Sequence, residues 1–356
     1  MVCIAAFIIL ALIGIFVAGI SIFKPKIGQA YLKALKKAWG CLWKKVRLQK
    51  CETGFKEDVK NSLLSKVVIK SPKLVKPLSL LIEIVSVLIV AVTVWAILTA
   101  IKSLLALWVL GSCNVTKPSA CSLGAEICSI DETEPSNIIE ATGRWFTEWG
   151  EIFEAIPDKF KTYDADDYKF NYIEVNPDAG EDAQIVIDIF DPGCVVCMNS
   201  YRNQKQSGFF ENHNVRLVPF AIQNPDGSYK FKNSEVLVRY MFALEQIRTG
   251  ASVMIIDKVF TDQGHSSLYN DEISYLDLFN SEYSHEEAVN TIESWLEQDG
   301  FDKENIKKIR QITDWPETTK KMSENKEIIE NQLRAKGIPT MIIDDKKHTG
   351  LWKADN

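Results

Sequence analysis

The sequence predicts an α/β domain carried behind two transmembrane helices, and three observations predict it. Two long apolar runs without a charge lie near the N-terminus, at residues 2–23 and 84–101. Charge is laid out in blocks: residues 24–77 hold fifteen Lys/Arg against three Asp/Glu, whereas residues 112–356 hold 25 basic against 43 acidic residues. In the C-terminal half, a strand-like run leads through a tight turn into a CxxC pair and then a helix-forming stretch. The 356 residues are 46% hydrophobic and 25% charged, ordinary globular values that exclude a disordered or collagen-like chain. An acidic C-terminal part also argues against nucleic-acid binding, which needs a basic surface.

The first run, of 22 residues, spans the roughly 30 Å hydrocarbon core at about 1.5 Å per residue. It lacks a basic n-region and exceeds the roughly 7–15 residues of a signal peptide's apolar core. It therefore reads as transmembrane helix 1, residues 1–23. The second run, bracketed by Glu83 and Lys102, defines transmembrane helix 2, residues 78–111, with Lys102 expected to snorkel to the headgroups. The strongly basic loop between them, residues 24–77, is short enough to stay cytoplasmic. The expected topology is thus two-pass in the cell membrane, with everything after Gly111 extracytoplasmic. Within the loop, Leu32, Leu35, Trp39, Leu42 and Val46 recur at helical spacing among lysines, as in an amphipathic helix lying on membrane lipid. Cys41 and Cys51 are expected there as reduced thiols.

Residues 112–164 read as an extracytoplasmic connector followed by an amphipathic helix. On this topology six cysteines face outward: Cys3, Cys113, Cys121, Cys128, Cys194 and Cys197. An even number in an oxidising compartment allows full pairing, though connectivity does not follow from sequence. A Cys121–Cys128 loop closure is the expected short-range pair, with Cys3 and Cys113 near the same membrane face. Residues 138–156 repeat apolar and aromatic side chains at helical spacing, up to Pro157, and the aromatic face is expected to pack into a core.

The folded domain is expected over residues 165–356. Residues 168–175 have strand composition, and residues 184–190 (QIVIDIF) form a β-branched buried-strand run. Asp191-Pro192-Gly193 makes the turn, and Cys194-Val195-Val196-Cys197 opens the helix. A thiol at a helix N-terminus faces unpaired N–H groups and the positive end of the dipole, which favours the thiolate. A second thiol one turn on can close or resolve a disulfide. Zinc would need four ligands, and no second CxxC or HxxxH occurs, so no metal site is expected. A purely structural Cys194–Cys197 disulfide remains the bland alternative. Asp188 sits six positions before Cys194 and shares a strand face with Phe190. It is either a buried carboxylate beneath the thiols, able to take the proton of Cys197, or a solvent-facing edge residue. The four histidines lie in polar contexts and are expected at the surface. Downstream, Gly337-Ile338-Pro339-Thr340 precedes another strand, where a cis peptide is open to a proline.

Together, IVIDIFDPGCVVC and the later KGIPTMIID resemble the thioredoxin superfamily over roughly residues 165–356. The resemblance implies a thioredoxin-like fold and gives each site residue a role. Pro339 would be cis and oppose the CxxC, and Ile338 would offer its backbone to a substrate peptide. Cys194 would be the nucleophile and Cys197 the resolving thiol, with Asp188 at the family's buried-acid position. The 145 residues from Cys194 to Pro339 leave room for a helical insertion, about residues 233–333, which makes the domain similar to DsbA-like proteins. The sequence departs from that pattern in two places. Val195-Val196 provides no histidine between the cysteines, and the chain continues only far enough past Pro339 for a hairpin, placed at residues 340–344 and 348–352. The missing closing helix is expected to be replaced on the sheet by residues 138–156.

The function so implied is a membrane-anchored, extracytoplasmic thiol–disulfide oxidoreductase acting on protein thiols and disulfides, recycled by a membrane redox partner and using no cofactor. Two alternatives stand beside it: a non-catalytic binding module stapled by Cys194–Cys197, and a reductase or isomerase in place of an oxidase.

Overall fold

The computed structural model describes residues 75–115, 127–130, 135–176 and 183–353, with positions 32, 33, 36, 39, 40, 43 and 47 of the basic loop. The first apolar run lies outside the described residues, as do Cys3, Cys41, Cys51 and Cys121. The chain divides into two units, residues 1–101 and 102–356.

In the first unit, Leu32, Lys33, Lys36, Trp39, Gly40 and Trp43 are helical. The exposed rings of Trp39 and Trp43 stack at 6.5 Å. Helix α1 (Val75–Leu110) begins in this unit. Among the described residues it is the one helix long and apolar enough to cross a membrane. Leu88 and Val92 on it stand exposed. Ser86 and Thr93 return their hydroxyl protons to the carbonyls of Ile82 and Ile89, which satisfies these polar groups inside an apolar run.

The last turns of α1 belong to the second unit. There Ala106 packs with Val115 and with Ile152 of α2 (Ile138–Ala155). Lys102 does not snorkel. Its side chain is buried, forms an ion pair with Glu148 of α2, and lies 5.4 Å over the Trp145 ring. A charge taken from water this far requires such a partner. Helix α2 thus packs along the end of α1, and the expectation that it covers the sheet is corrected. Its apolar positions match a helix carrying Glu148 to Lys102, and Phe146 and Phe153 remain exposed.

The core sheet has five strands in the order β2-β4-β3-β8-β9: β2 (Ile173–Glu174), β3 (Ile185–Phe190), β4 (Asn214–Pro219), β8 (Thr340–Ile343) and β9 (Lys346–Thr349). Strand β3 is central, parallel to β4 and antiparallel to β8. Strand β2 is antiparallel to β4. This is a thioredoxin-like sheet. Strand β2 is far shorter than the strand expected over 168–175. Asn325 bonds both the N–H and the C=O of Asn171, so a side chain takes the backbone groups that a longer ladder would use. The terminal hairpin turns at Asp344 and Asp345, both at positive φ (52° and 57°), the conformation of a two-residue hairpin turn. Its second strand therefore starts two residues earlier than expected.

CxxC helix α3 (Val195–Gln206) and the short α4 (Phe209–Asn212) follow β3. Between β4 and β8 lie α5 (Ser234–Glu245), α6 (Val253–Thr261), α8 (His285–Gln298), α9 (Lys303–Thr313) and α10 (Pro316–Glu327). Their starts carry the expected signals: a Ser284/Glu287 capping box, the Asp302 cap and Pro316 in a first turn. A hairpin of β5 (Gln263–Ser266) and β6 (Asp271–Ser274), then the one-turn α7 (Tyr275–Asp277), interrupt the helices. Sequence reading missed this hairpin because its strands, QGHS and DEIS, carry one large apolar side chain between them, Ile273, so no hydrophobic period marks them. No closing helix follows β9 among the described residues. Instead Trp352 lies against Phe209 at 4.9 Å, and its backbone is tied to Asn203 and Ser200 of α3. His213, expected at the surface, stacks half-buried on Phe209 at 4.1 Å.

Candidate active site

Three elements build the site: the end of β3, the start of α3, and the turn into β8. Asp191-Pro192-Gly193 closes β3, and the Cys194 N–H donates to the Asp191 carbonyl at 3.0 Å. Cys194 is the N-cap of α3, with extended backbone (φ −89°, ψ 119°) and no side-chain cap bond. Its sulfur therefore stands at the helix end where N–H groups are unpaired. Cys197 lies one turn in, buried, as a free thiol. Burial pushes its pKa well up, and the charges of Asp191 and Asp188 add to that, while backbone hydrogen bonds pull the other way.

Asp188 is on the central strand, buried, and faces α3. One carboxylate oxygen accepts from the Gln204 side-chain amide at 2.8 Å, and the other has no protein partner. Burial raises its pKa to about 6, opposed by the Gln204 bond. Of the two readings left open by sequence, the geometry gives the buried carboxylate.

Asp191 is a second buried acid, which sequence reasoning absorbed into the turn. It accepts from the N–H of Gly193 at 2.8 Å, from the N–H of Ile222 at 2.7 Å, and from the Ser234 hydroxyl. Its pKa is also raised to about 6, burial outweighing the three donors. Gln204 was missed too, although Cys197, Tyr201 and Gln204 recur at helical spacing and mark the face of α3 turned to the sheet.

Gly193 allows the turn to sit against the insertion. A Cβ there would lie 2.4 Å from the Phe231 Cβ and 3.1 Å from the Asn280 Oδ1, and Asn280 donates to the Gly193 carbonyl at 2.8 Å. The Phe231 Cβ cannot move away by rotamer change. Gly193→Ala is therefore expected to cost about 1–3 kcal/mol in a denaturant titration, with loss of the CxxC geometry.

The Ile338–Pro339 peptide is cis, and Ile338, in the two-residue β7 (Gly337–Ile338), is buried. Its backbone is already paired: β1 (Cys128–Ser129) runs antiparallel to it, with Cys128 opposite Ile338. Cys128 is disulfide-bonded to Cys194 across a Cα–Cα distance of 6.4 Å. This corrects two expectations. Cys128 does not pair with Cys121, and Cys194 is not stapled to Cys197. The partners are 66 residues apart in sequence, and nothing local signals the pairing. Cys113 is also disulfide-bonded. Among the described residues no cluster of three or more His, Cys, Asp or Glu is arranged to hold a metal.

No family model matches the sequence, and no curated protein matches it. Solved structures of low similarity do. One is the thiol-disulfide exchange protein alpha-DsbA2 of Wolbachia pipientis, at 14% identity and TM-score 0.35, covering 52% of this chain and 82% of that one. Another is the thiol-disulfide oxidoreductase MdbA of Corynebacterium diphtheriae, at 16% and 0.35, covering 51% and 91%. A third is the cytosolic disulfide reductase DsbM of Pseudomonas aeruginosa, at 11% and 0.33, covering 46% and 88%. Likeness at this level does not bear on activity. The thioredoxin-like assignment of the fold rests on the strand order and on the chain's own arrangement of CxxC helix and cis-proline turn.

Proposed function

We propose that this chain is a membrane-anchored thiol–disulfide oxidoreductase whose thioredoxin-like domain acts on protein thiols and disulfides at the extracytoplasmic face. One observation carries the reading: two cysteines one turn apart open α3, with two buried carboxylates of raised pKa beneath them. In the forward sense, Cys194 attacks a client disulfide and forms a mixed disulfide. Cys197, which burial holds protonated, gives its proton to a buried carboxylate and attacks Cys194, releasing the client thiol. A carboxyl with a pKa near the operating pH suits that transfer. The reverse sequence donates a disulfide. The backbone edge at Ile338 holds a client strand by β-pairing. The block of positive charge before α1 supports a cytoplasmic loop and an outward domain, and the first apolar run would make the anchor two-pass.

The test is a redox titration of the detergent-solubilised full chain in graded glutathione buffers, with thiols trapped at each point and Cys194→Ala as control. A reversible two-electron couple between about −120 and −270 mV is the expected result. A site that stays oxidised below about −300 mV would mark a structural staple and overturn the reading.

A further inference from the structure

Residues 127–130 (Ile127, Cys128, Ser129, Ile130) are all buried, although the connector around them is polar. They dock as a strand. Cys128 and Ser129 pair with Ile338 and Gly337, and the Ile130 N–H donates to the Lys336 carbonyl at 3.1 Å. The Lys230 ammonium donates to the Ser129 carbonyl at 2.9 Å. The fit at Gly337 is close, since a Cβ there would lie 3.1 Å from the Cys128 carbonyl oxygen. The paired segments border an open groove of about 1240 Å³, lined by Ile127 and Ile130 on one strand and by Lys336 and Gly337 on the other. The segment therefore has both attributes of a bound client: a strand paired at Ile338 and a disulfide to Cys194.

We propose that Cys128 is a third redox-active thiol and that residues 127–130 form a tethered substrate strand occupying the client position. This rests on the oxidoreductase reading above. Cys197 Sγ attacks Cys194 Sγ; the Cys194–Cys197 bond forms as the Cys194–Cys128 bond breaks, and the electron pair leaves on Cys128 Sγ. The proton lost by Cys197 passes to Asp191 or Asp188, and the Cys128 thiolate takes one from water. One disulfide and one thiol stand on each side, so no external oxidant or reductant is consumed. The strand is then free to leave the Ile338 edge, and a client strand takes its place. The docked strand is a competitor at millimolar effective concentration, as expected for a short tether. It therefore excludes weak clients until the exchange releases it.

The test uses the detergent-solubilised full chain, oxidised, quenched in acid and mapped for disulfide-linked peptides across a glutathione series. Both Cys128–Cys194 and Cys194–Cys197 are expected, in a ratio independent of the glutathione potential because their interconversion is redox-neutral. Cys128→Ser should raise the rate at which the oxidised protein accepts electrons from an external peptide dithiol by about tenfold or more. Cys128→Ala, checked for unchanged melting behaviour, should do the same. Finding only Cys128–Cys194 in oxidised protein, with unchanged exchange in folded Cys128→Ser, would overturn the inference while leaving the oxidoreductase reading intact. If Cys128→Ser formed no reversible Cys194–Cys197 couple, the oxidoreductase reading would itself fall.

Discussion

Cys194→Ala is expected to reduce exchange with a fluorogenic peptide disulfide by about a thousandfold or more, the scale on which enzymes lose activity with their nucleophile. The reason lies in how unlike the two thiols of the pair are. Cys194 stands at the N-cap of α3, facing the free N–H groups and the positive end of the helix dipole. Cys197 is buried and its pKa is pushed well up, first by desolvation and then by the two carboxylates. Both sulfurs are buried in this structure, but Cys197 is held as a thiol one turn inside the helix, so it is a poor replacement for the missing nucleophile. Cys197→Ala should behave differently. Combined with Cys128→Ser, so that neither Cys197 nor Cys128 can resolve, it keeps the first attack, and mixed disulfides with the peptide accumulate and are visible as a mass increase. Retention of turnover by Cys194→Ala would sink the assignment of the nucleophile.

The second large effect is on stability. Asp188 and Asp191 both have folded-state pKa values of about 6, above the unfolded value of about 3.9. Between pH about 4 and about 6 the native state therefore binds more protons than the unfolded state, and stability falls as pH rises through that window. Above it the loss is complete, at most about 3 kcal/mol for each carboxylate. Asp188→Asn should accordingly stabilise the protein at pH 7 by an amount approaching that figure and have no effect below pH about 4. Its oxygen can keep the Gln204 bond. Asp191→Asn should do the opposite. Asp191 accepts three hydrogen bonds, and an asparagine amide would turn its own donors toward one of those N–H groups, costing about 1–3 kcal/mol. Denaturant titrations of both variants at pH 4 and pH 7 check this. Equal shifts of the same sign would show that the bonding around the two acids does not set the difference.

How much of this was legible in the sequence varies by feature. Strand β3, helix α3 and most helices of the insertion have strong periodicity or cap signals, and these local rules survive folding. Asp188 was legible as a candidate because alternation places it opposite Ile187 and Ile189, but its burial needed the neighbours β4 and β8 on either side. Asp191 looked like an ordinary turn residue. Its partners Ile222 and Ser234 come from after β4 and from α5, so only assembly brings them together. Residues 138–156 were read correctly as an amphipathic helix and assigned the wrong surface. The pattern says that a face is buried, not against what, and the ion pair of Lys102 with Glu148 fixed the partner.

The sequence by itself determined the periodic elements, the CxxC at a helix N-terminus and the layout of charge in blocks. These follow from local sterics, spacing and composition. Only the tertiary structure decided the cysteine pairing and the occupant of the Ile338 edge. A disulfide between residues 66 apart and a two-residue ladder between β1 and β7 depend on where the folded sheet brings distant backbone together. No rule of local propensity or spacing contains that distance.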